Sequence, residues 1–287
     1  MSTASATVPE QPNGRRRVAF YFSAHQDDWQ LFMNPPAFRD VLDDTTHCVF
    51  VHMTAGDAGL GTGAAGRKHP FYLARDDGAE TAIRFMADAN DRPPIEPTIA
   101  AKSFAGHAIR RVAYRNTVAY FLHAPDGNPE GGGYVETGYQ SLKRLAKGEI
   151  ETLSAVDGSS VYHGWDDLLA TLRGIIDFER GSSLAVDLHI PEIDSIINAN
   201  DHADHLATAD AVLRATKDMP SRCFRHLGYA CIDRRENLAA EDRDMQCAVF
   251  AVTLAGITAM DHAVSWQYYR PRFIGRSYYR VEQRELN

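Results

Sequence analysis

The chain has 287 residues, 44% of them hydrophobic, with a formal charge of -8 and a pI near 5.8. A chain of this length and apolar content can bury a substantial core, and its acidic balance argues against nucleic acid or an anionic membrane as the main partner, because both reward a basic surface. A small molecule is the expected partner.

Residues 1–14 are small and polar and lack the apolar stretch of a signal peptide, which predicts a disordered tail, a single domain over 15–287 and a cytoplasmic protein. Cys48, Cys223, Cys231 and Cys247 form no CxxC pair and are expected to be buried thiols. Val18 to Phe22 is a continuous apolar run of the kind that makes a strand buried on both faces, and Ser23-Ala-His-Gln-Asp-Asp28 follows it. Trp29 to Val41 has helical character, with Pro35 and Pro36 either breaking it or opening a new first turn. Cys48 to Thr54 reads as a second strand, followed by a Gly-rich loop over Ala55 to Gly66.

Within that loop, Gly61 to Gly66 matches GxGxxG by letter, but six residues separate it from the strand, and Arg67-Lys-His-Pro70 is a poor helix start. A mobile loop beside the site is expected rather than a dinucleotide site. Ala79, Ala82, Ile83 and Met86 set an apolar stripe on a helix over Asp76 to Ala89. A connection is expected over Asn90 to Ala108, then one or two strands over Val112 to His123, ending at the turn Ala124-Pro-Asp-Gly-Asn128. The residues from there to Ser160 carry no clear pattern.

Leu168, Leu172, Ile175 and Ile176 define a helix over Trp165 to Arg180, with Gly181 placed to end it. A buried strand over Leu184 to Ile190, a loop to Asn200 and a helix from Asp201 to about Lys217 follow. Cys223 to Cys231 reads as a last strand and Asp244 to Ala263 as a buried helix, its apolar run too short to span a bilayer. The whole predicts an α/β fold, Rossmann-like, with a mostly parallel sheet covered by helices on both faces.

Two polar clusters, His25/Asp27/Asp28 and His202/Asp204/His205, sit where a strand or its following loop gives way to a helix, and in a parallel sheet such loops share one edge. Three protein ligands and one open position are usual for catalytic zinc, and His25, Asp28 and His205 make such a set. The i, i+3 spacing of His202 and His205 lets both point from one helical face. Taken alone, the carboxylates read as helix caps, and for Asp201 capping is the better account. His52 and His189, inside apolar strands, read as satisfied interior groups.

The chain resembles the LmbE-like, or PIG-L, zinc-dependent de-N-acetylases, whose motifs are commonly Ala-His-Pro-Asp-Asp-Glu and His-Pro-Asp-His. Here they read Ala24-His-Gln-Asp-Asp-Trp29 and His202-Ala-Asp-His205. Thr54-Ala-Gly-Asp-Ala-Gly59 and Ala74-Arg-Asp-Asp-Gly-Ala-Glu80 extend the resemblance, which runs with insertions from about Arg17 to Lys217. It implies zinc ligation by His25, Asp28 and His205, Asp27 as general base, and His202 as the group assisting the oxyanion and leaving amine, with Asp204 holding His202 cationic. It also implies that Arg75 and Asp126 bind a sugar-like substrate.

Gln26 and Trp29 depart from the family's Pro and Glu; Trp29 either packs into the core or offers a ring to substrate. The aromatic and arginine-rich segment Trp266 to Arg280 packs on the domain, lines a pocket or forms a contact in a homo-oligomer. The expected activity is zinc-dependent removal of an acyl group, acetyl foremost, from an N-acylated amino sugar or glycoconjugate. One alternative is another metal-dependent small-molecule reaction on the same fold. A second is a non-catalytic or dinucleotide-binding protein.

Overall fold

A computed structural model describes residues 17–90, 92–183 and 185–285; the tail expected over 1–14 lies outside the described residues. The first elements are β1 (Arg17–Ser23), α1 (Asp28–Phe32), α2 (Pro36–Leu42), β2 (Thr46–Thr54), α3 (Phe71–Asp88), β3 (Thr98–Phe104), β4 (His107–Tyr114) and β5 (Thr117–Ala124). Next come α4 (Leu142–Ala146), the short strands β6 (Thr152–Ser154) and β7 (Val161–His163), α5 (Trp165–Arg180), β8 (Ala185–Pro191) and α6 (Ala203–Ala215). The last are β9 (Ser221–His226), α7 (Ala240–Ala259), α8 (Trp266–Phe273) and β10 (Tyr279–Arg284).

Eight strands make one sheet in the order β10-β9-β8-β1-β2-β5-β4-β3, while β6 and β7 form a separate hairpin. The inner strands β9, β8, β1, β2 and β5 run parallel; β10, β4 and β3 extend the edges antiparallel. The α/β architecture with a mostly parallel sheet is therefore as expected and compatible with a Rossmann-like fold. Strand periodicity divides the core in two. Val18, Phe20, Phe22, Val49 and Val51 face one side with residues of α5 and α6, such as Leu172 and Val212. Ala19, Tyr21, Cys48 and Phe50 face the other with residues of α1, α3 and α7, such as Trp29, Ile83 and Phe250.

Several expectations shift. The helix over Trp29 to Val41 is broken, and Pro36 takes the first position of α2, so the prolines do both things foreseen for them. The connection expected over Asn90 to Ala108 contains β3, whose residues are almost all exposed; an edge strand has no buried face to print an apolar pattern. The helix expected from Asp76 starts at Phe71, the strand expected over Cys223 to Cys231 ends at His226, and α7 starts at Ala240 and buries one face rather than its whole surface. Leu184, the expected start of β8, lies outside the described residues. Cys48, Cys223 and Cys231 are buried and Cys247 is partly so. Among the described residues, no helix is long and apolar enough to cross a membrane.

The sequence order of the strands decides where a site can form. From β1 the chain moves to β2 on one side and returns at β8 on the other, so a switch point lies between β1 and β8. Open α/β sheets bind ligands beyond the carboxyl ends of the strands at such a point. The loops after β1, β2, β5 and β8 all emerge there.

Candidate metal centre

The loop after β1 carries His25 to Asp28. The His25 backbone N–H donates to Asp28 Oδ2 at 2.7 Å, closing a turn that faces both side chains inward. From across the switch point, at the start of α6, His205 brings Nε2 to 3.2 Å from Asp28 Oδ1, and His25 Nδ1 lies 3.5 Å from the same oxygen. All three residues are buried. Tetrahedral zinc with bonds of 2.0–2.1 Å sets its ligand atoms about 3.3 Å apart; the two separations to Asp28 are close to this, and the three ligand atoms all lie within 4.8 Å of one another, near enough to hold a metal ion.

The other nitrogen of each imidazole also faces a carboxylate. His205 Nδ1 is 2.9 Å from Asp201 Oδ1, and Asp201 is fixed in turn by the Tyr229 N–H and the Asn198 amide. His25 Nε2 is 3.5 Å from Asp204 Oδ2, an ion-pair separation, and that oxygen accepts the Gly127 N–H at 2.8 Å. Metal-ligating histidines are oriented this way, one nitrogen inward and the other held by a carboxylate or carbonyl. Asp201 is therefore not the helix cap expected of it. The cap is His202, whose Nδ1 accepts the Asp204 N–H at 3.2 Å.

A second group overlaps the first: His25, Asp126, His202 and Asp204 are also close enough to hold a metal ion. Its separations are wider, with His25 Nε2 and His202 Nε2 each 3.9 Å from an Asp126 oxygen. Asp126 is thus more than the substrate contact expected in the turn after β5. Its own N–H donates to Asp57 Oδ1 at 2.9 Å, which ties the β5 turn to the Gly-rich loop after β2.

Charge follows this arrangement. Burial opposes ionisation of His25, but Asp28, Asp204 and Asp126 outweigh it and carry its pKa up to about 10. Burial likewise opposes charging of His205, yet Asp201 and Asp28 hold its pKa well above the ordinary value. Asp28 is held well below the carboxylate range by His205 and His25, against the effect of burial. A bound cation would compete with the protons that these carboxylates draw to the two imidazoles.

His202 differs. Burial, together with His25 and His205, pushes its pKa down to about 3. Asp204 Oδ2 stays 3.8 Å from His202 Nδ1, a nitrogen that already accepts a hydrogen bond. Asp204, expected to hold His202 cationic, lies nearer His25 Nε2 than His202 Nδ1, at 3.5 Å against 3.8 Å. Nor does His202 share a helical face with His205, because it precedes the helix with extended backbone; their rings nevertheless converge, with centroids 5.6 Å apart.

Beside the group opens a cavity of about 140 Å³ whose lining includes His25, Asp27, Asp28, Arg75, Asp126 and His202. Arg75, expected to bind substrate, donates from its guanidinium to Asp27 Oδ1. Trp29 is a correction: it is fully buried, with its ring 4.8 Å from that of Phe50, and belongs to the core rather than the cavity. Leu31, Phe32, Tyr229 and Tyr269 also line it.

Tyr229 and Tyr269 both lie after Pro220: Tyr269 falls in the aromatic and arginine-rich segment for which lining a pocket was one expectation, whereas no sequence signal pointed to Tyr229. The arginine-rich stretch thus packs on the domain as α8 and β10 and also lines the cavity. Asp201 did have a signal, its i, i+4 spacing to His205, hidden by its equal suitability as a cap. Gly61 to Gly66 sits mostly exposed with no helix opening until Phe71, so it lacks the geometry of a dinucleotide loop. His189 pairs through Nδ1 with His226 Nε2 at 3.0 Å, but its Nε2, like both ring nitrogens of fully buried His52, has no hydrogen-bond partner among the described residues, and burial lowers the pKa of His52 to about 4. No family model, curated protein or solved structure compared with the chain matches it.

Proposed function

We propose that this chain is a zinc-dependent amide hydrolase of the LmbE-like type, removing an acyl group, acetyl foremost, from an N-acylated amino sugar or glycoconjugate. One observation carries the reading. His25, Asp28 and His205 converge from both sides of the switch point, close enough to hold a metal ion, each imidazole facing a further carboxylate, beside a cavity that Asp27 also lines.

Zinc held by these three residues would lower the pKa of water to roughly 7 and polarise the amide carbonyl. Asp27 lines the cavity with its carboxylate anchored by Arg75, and in this scheme accepts the proton of the attacking water. His202 enters as a neutral hydrogen-bond donor: with Nδ1 engaged as an acceptor, its proton is on Nε2, where it can stabilise the developing oxyanion. The leaving nitrogen then receives its proton back from Asp27, since a neutral His202 has none to spare.

Elemental analysis of the purified chain should find about one zinc per molecule, and Asp28→Ala should lose it. Asp27→Asn should keep zinc and lose acetate release from N-acetyl amino sugars by about 10²–10⁴-fold. A chain that stays free of zinc after zinc addition overturns the reading. Zinc binding without acetate release from a broad amide panel would move it to another metal-dependent reaction.

A further inference from the structure

We infer that Gln26, Asp76 and His123 are positioning residues for Asp27: the first turns of α3 grip the β1–α1 loop at two successive residues, and the turn of the β6–β7 hairpin braces that grip from behind. The inference rests on the reading of Asp27 as the general base. Arg75 and Asp76 are consecutive on α3, as Gln26 and Asp27 are in the loop. The Arg75 guanidinium donates to Asp27, and Asp76 Oδ1 accepts from Gln26 Nε2 at 2.9 Å. The same amide nitrogen donates to the Ala55 carbonyl at 3.1 Å, anchoring the loop to the end of β2.

Behind Asp76, its Oδ2 is 2.8 Å from His123 Nε2, and His123 Nδ1 is 2.8 Å from Asp157 Oδ2 in the hairpin turn. An imidazole between two carboxylates satisfies both only as a double donor. Burial opposes the charge, but Asp76 and Asp157 outweigh it and raise the pKa to about 9. Gln26, Asp76 and His123 are each no more than 2% exposed, so water does not compete for these bonds.

Two backbone features show that the arrangement is built in against resistance. His123 adopts φ +54°, a left-handed conformation unfavourable for a residue with a Cβ, where β5 shifts register against β2. At Gly56, a Cβ would lie 2.6 Å from Gln26 Oε1 and 2.8 Å from Arg75 Nε, so only glycine lets the backbone press against both halves of the grip. The family's commonest motif has proline at position 26, whose ring restricts the loop directly. Here hydrogen bonds of the Gln26 amide do so.

The test is Gln26→Met, similar in length and unable to make these bonds, studied as the full zinc-loaded chain. Expected are an unchanged zinc content, KM within about twofold and a kcat reduced by about tenfold or more. The Arg75 Nη2–H resonance should exchange with solvent at least about tenfold faster, because its partner Asp27 is no longer held in place. Wild-type kcat together with an unchanged Arg75 resonance would overturn the inference. If Gln26→Met does not fold, Asp76→Asn decides by the same two readouts, since its amide presents a donor to either Gln26 or His123. If the wild type shows no hydrolysis and Gln26→Met still speeds exchange of the Arg75 resonance, the grip stands and only the hydrolase reading falls.

Discussion

His123 offers a stability test independent of any reaction. Its pKa is about 9 in the folded protein against an ordinary 6.5, burial opposing the charge and Asp76 and Asp157 overcoming it. The folded state therefore holds the proton more tightly than the unfolded chain. The resulting stabilisation is complete below pH 6.5 and is lost as pH rises through 9, a change of the order of 3 kcal/mol. Urea unfolding of the wild type between pH 6 and pH 9.5 should show this loss, and His123→Gln should flatten it; parallel pH curves for the two proteins would rule out the buried cation. Asp201 is the second residue whose role is open to direct measurement. Asp201→Ala should weaken zinc affinity by about 10–100-fold, seen by competition with a chelator, because His205 would lose the carboxylate that orients it.

At the scale of elements, the site depends on α3 being held close to the sheet, and α7 holds it there. The two helices cross at glycines. A Cβ on Gly78 would stand 2.6 Å from the Thr253 carbonyl oxygen, and one on Gly256 would stand 2.7 Å from Gly78 Cα. Gly78→Ala improves local helix propensity but must push the helices apart, an overpacking cost of roughly 1–3 kcal/mol against a propensity gain of about 1. Crowding against backbone atoms should win, so the midpoint of thermal unfolding should fall. A Gly78→Ala protein of raised Tm would show that the helices are free to separate. Because Arg75 and Asp76 lie on the same helix, the displacement should also loosen their hold on Gln26 and Asp27.

For the whole molecule, the segment beyond Lys217 completes the fold. Val249, Phe250, Leu254, Ile257, Phe273 and Ile274 are buried in the same cluster as Tyr21 and Phe50. At about 1.5–3 kcal/mol for each large buried side chain, their loss would match or exceed the roughly 5–15 kcal/mol that stabilises a typical domain. A chain ended at Lys217 should show no cooperative unfolding transition by circular dichroism. A soluble, cooperatively folded fragment that binds zinc would instead place the complete core within the first 217 residues. The same segment supplies Tyr229 and Tyr269 to the cavity wall.

By itself, the sequence determined the alternation of strands and helices, since apolar periodicity and runs such as Val18 to Phe22 are local properties of neighbouring residues. It also marked His25, Asp27, Asp28, His202 and His205, because ligand chemistry at loop positions is visible as residue type. Edge strands β3 and β10 were not legible: with one long side in solvent they carry no buried pattern. Tertiary structure alone decided the division of roles among the aspartates. Asp201, Asp204 and Asp126 are each within reach of more than one histidine or backbone partner in principle, and only the placement of β8 beside β1 and of β5 beside β2 settles which imidazole each one meets. It also sent Trp29 into the core and Tyr229 into the cavity, because the side of the sheet to which a residue turns depends on strand register and helix packing, which act between residues far apart in the chain.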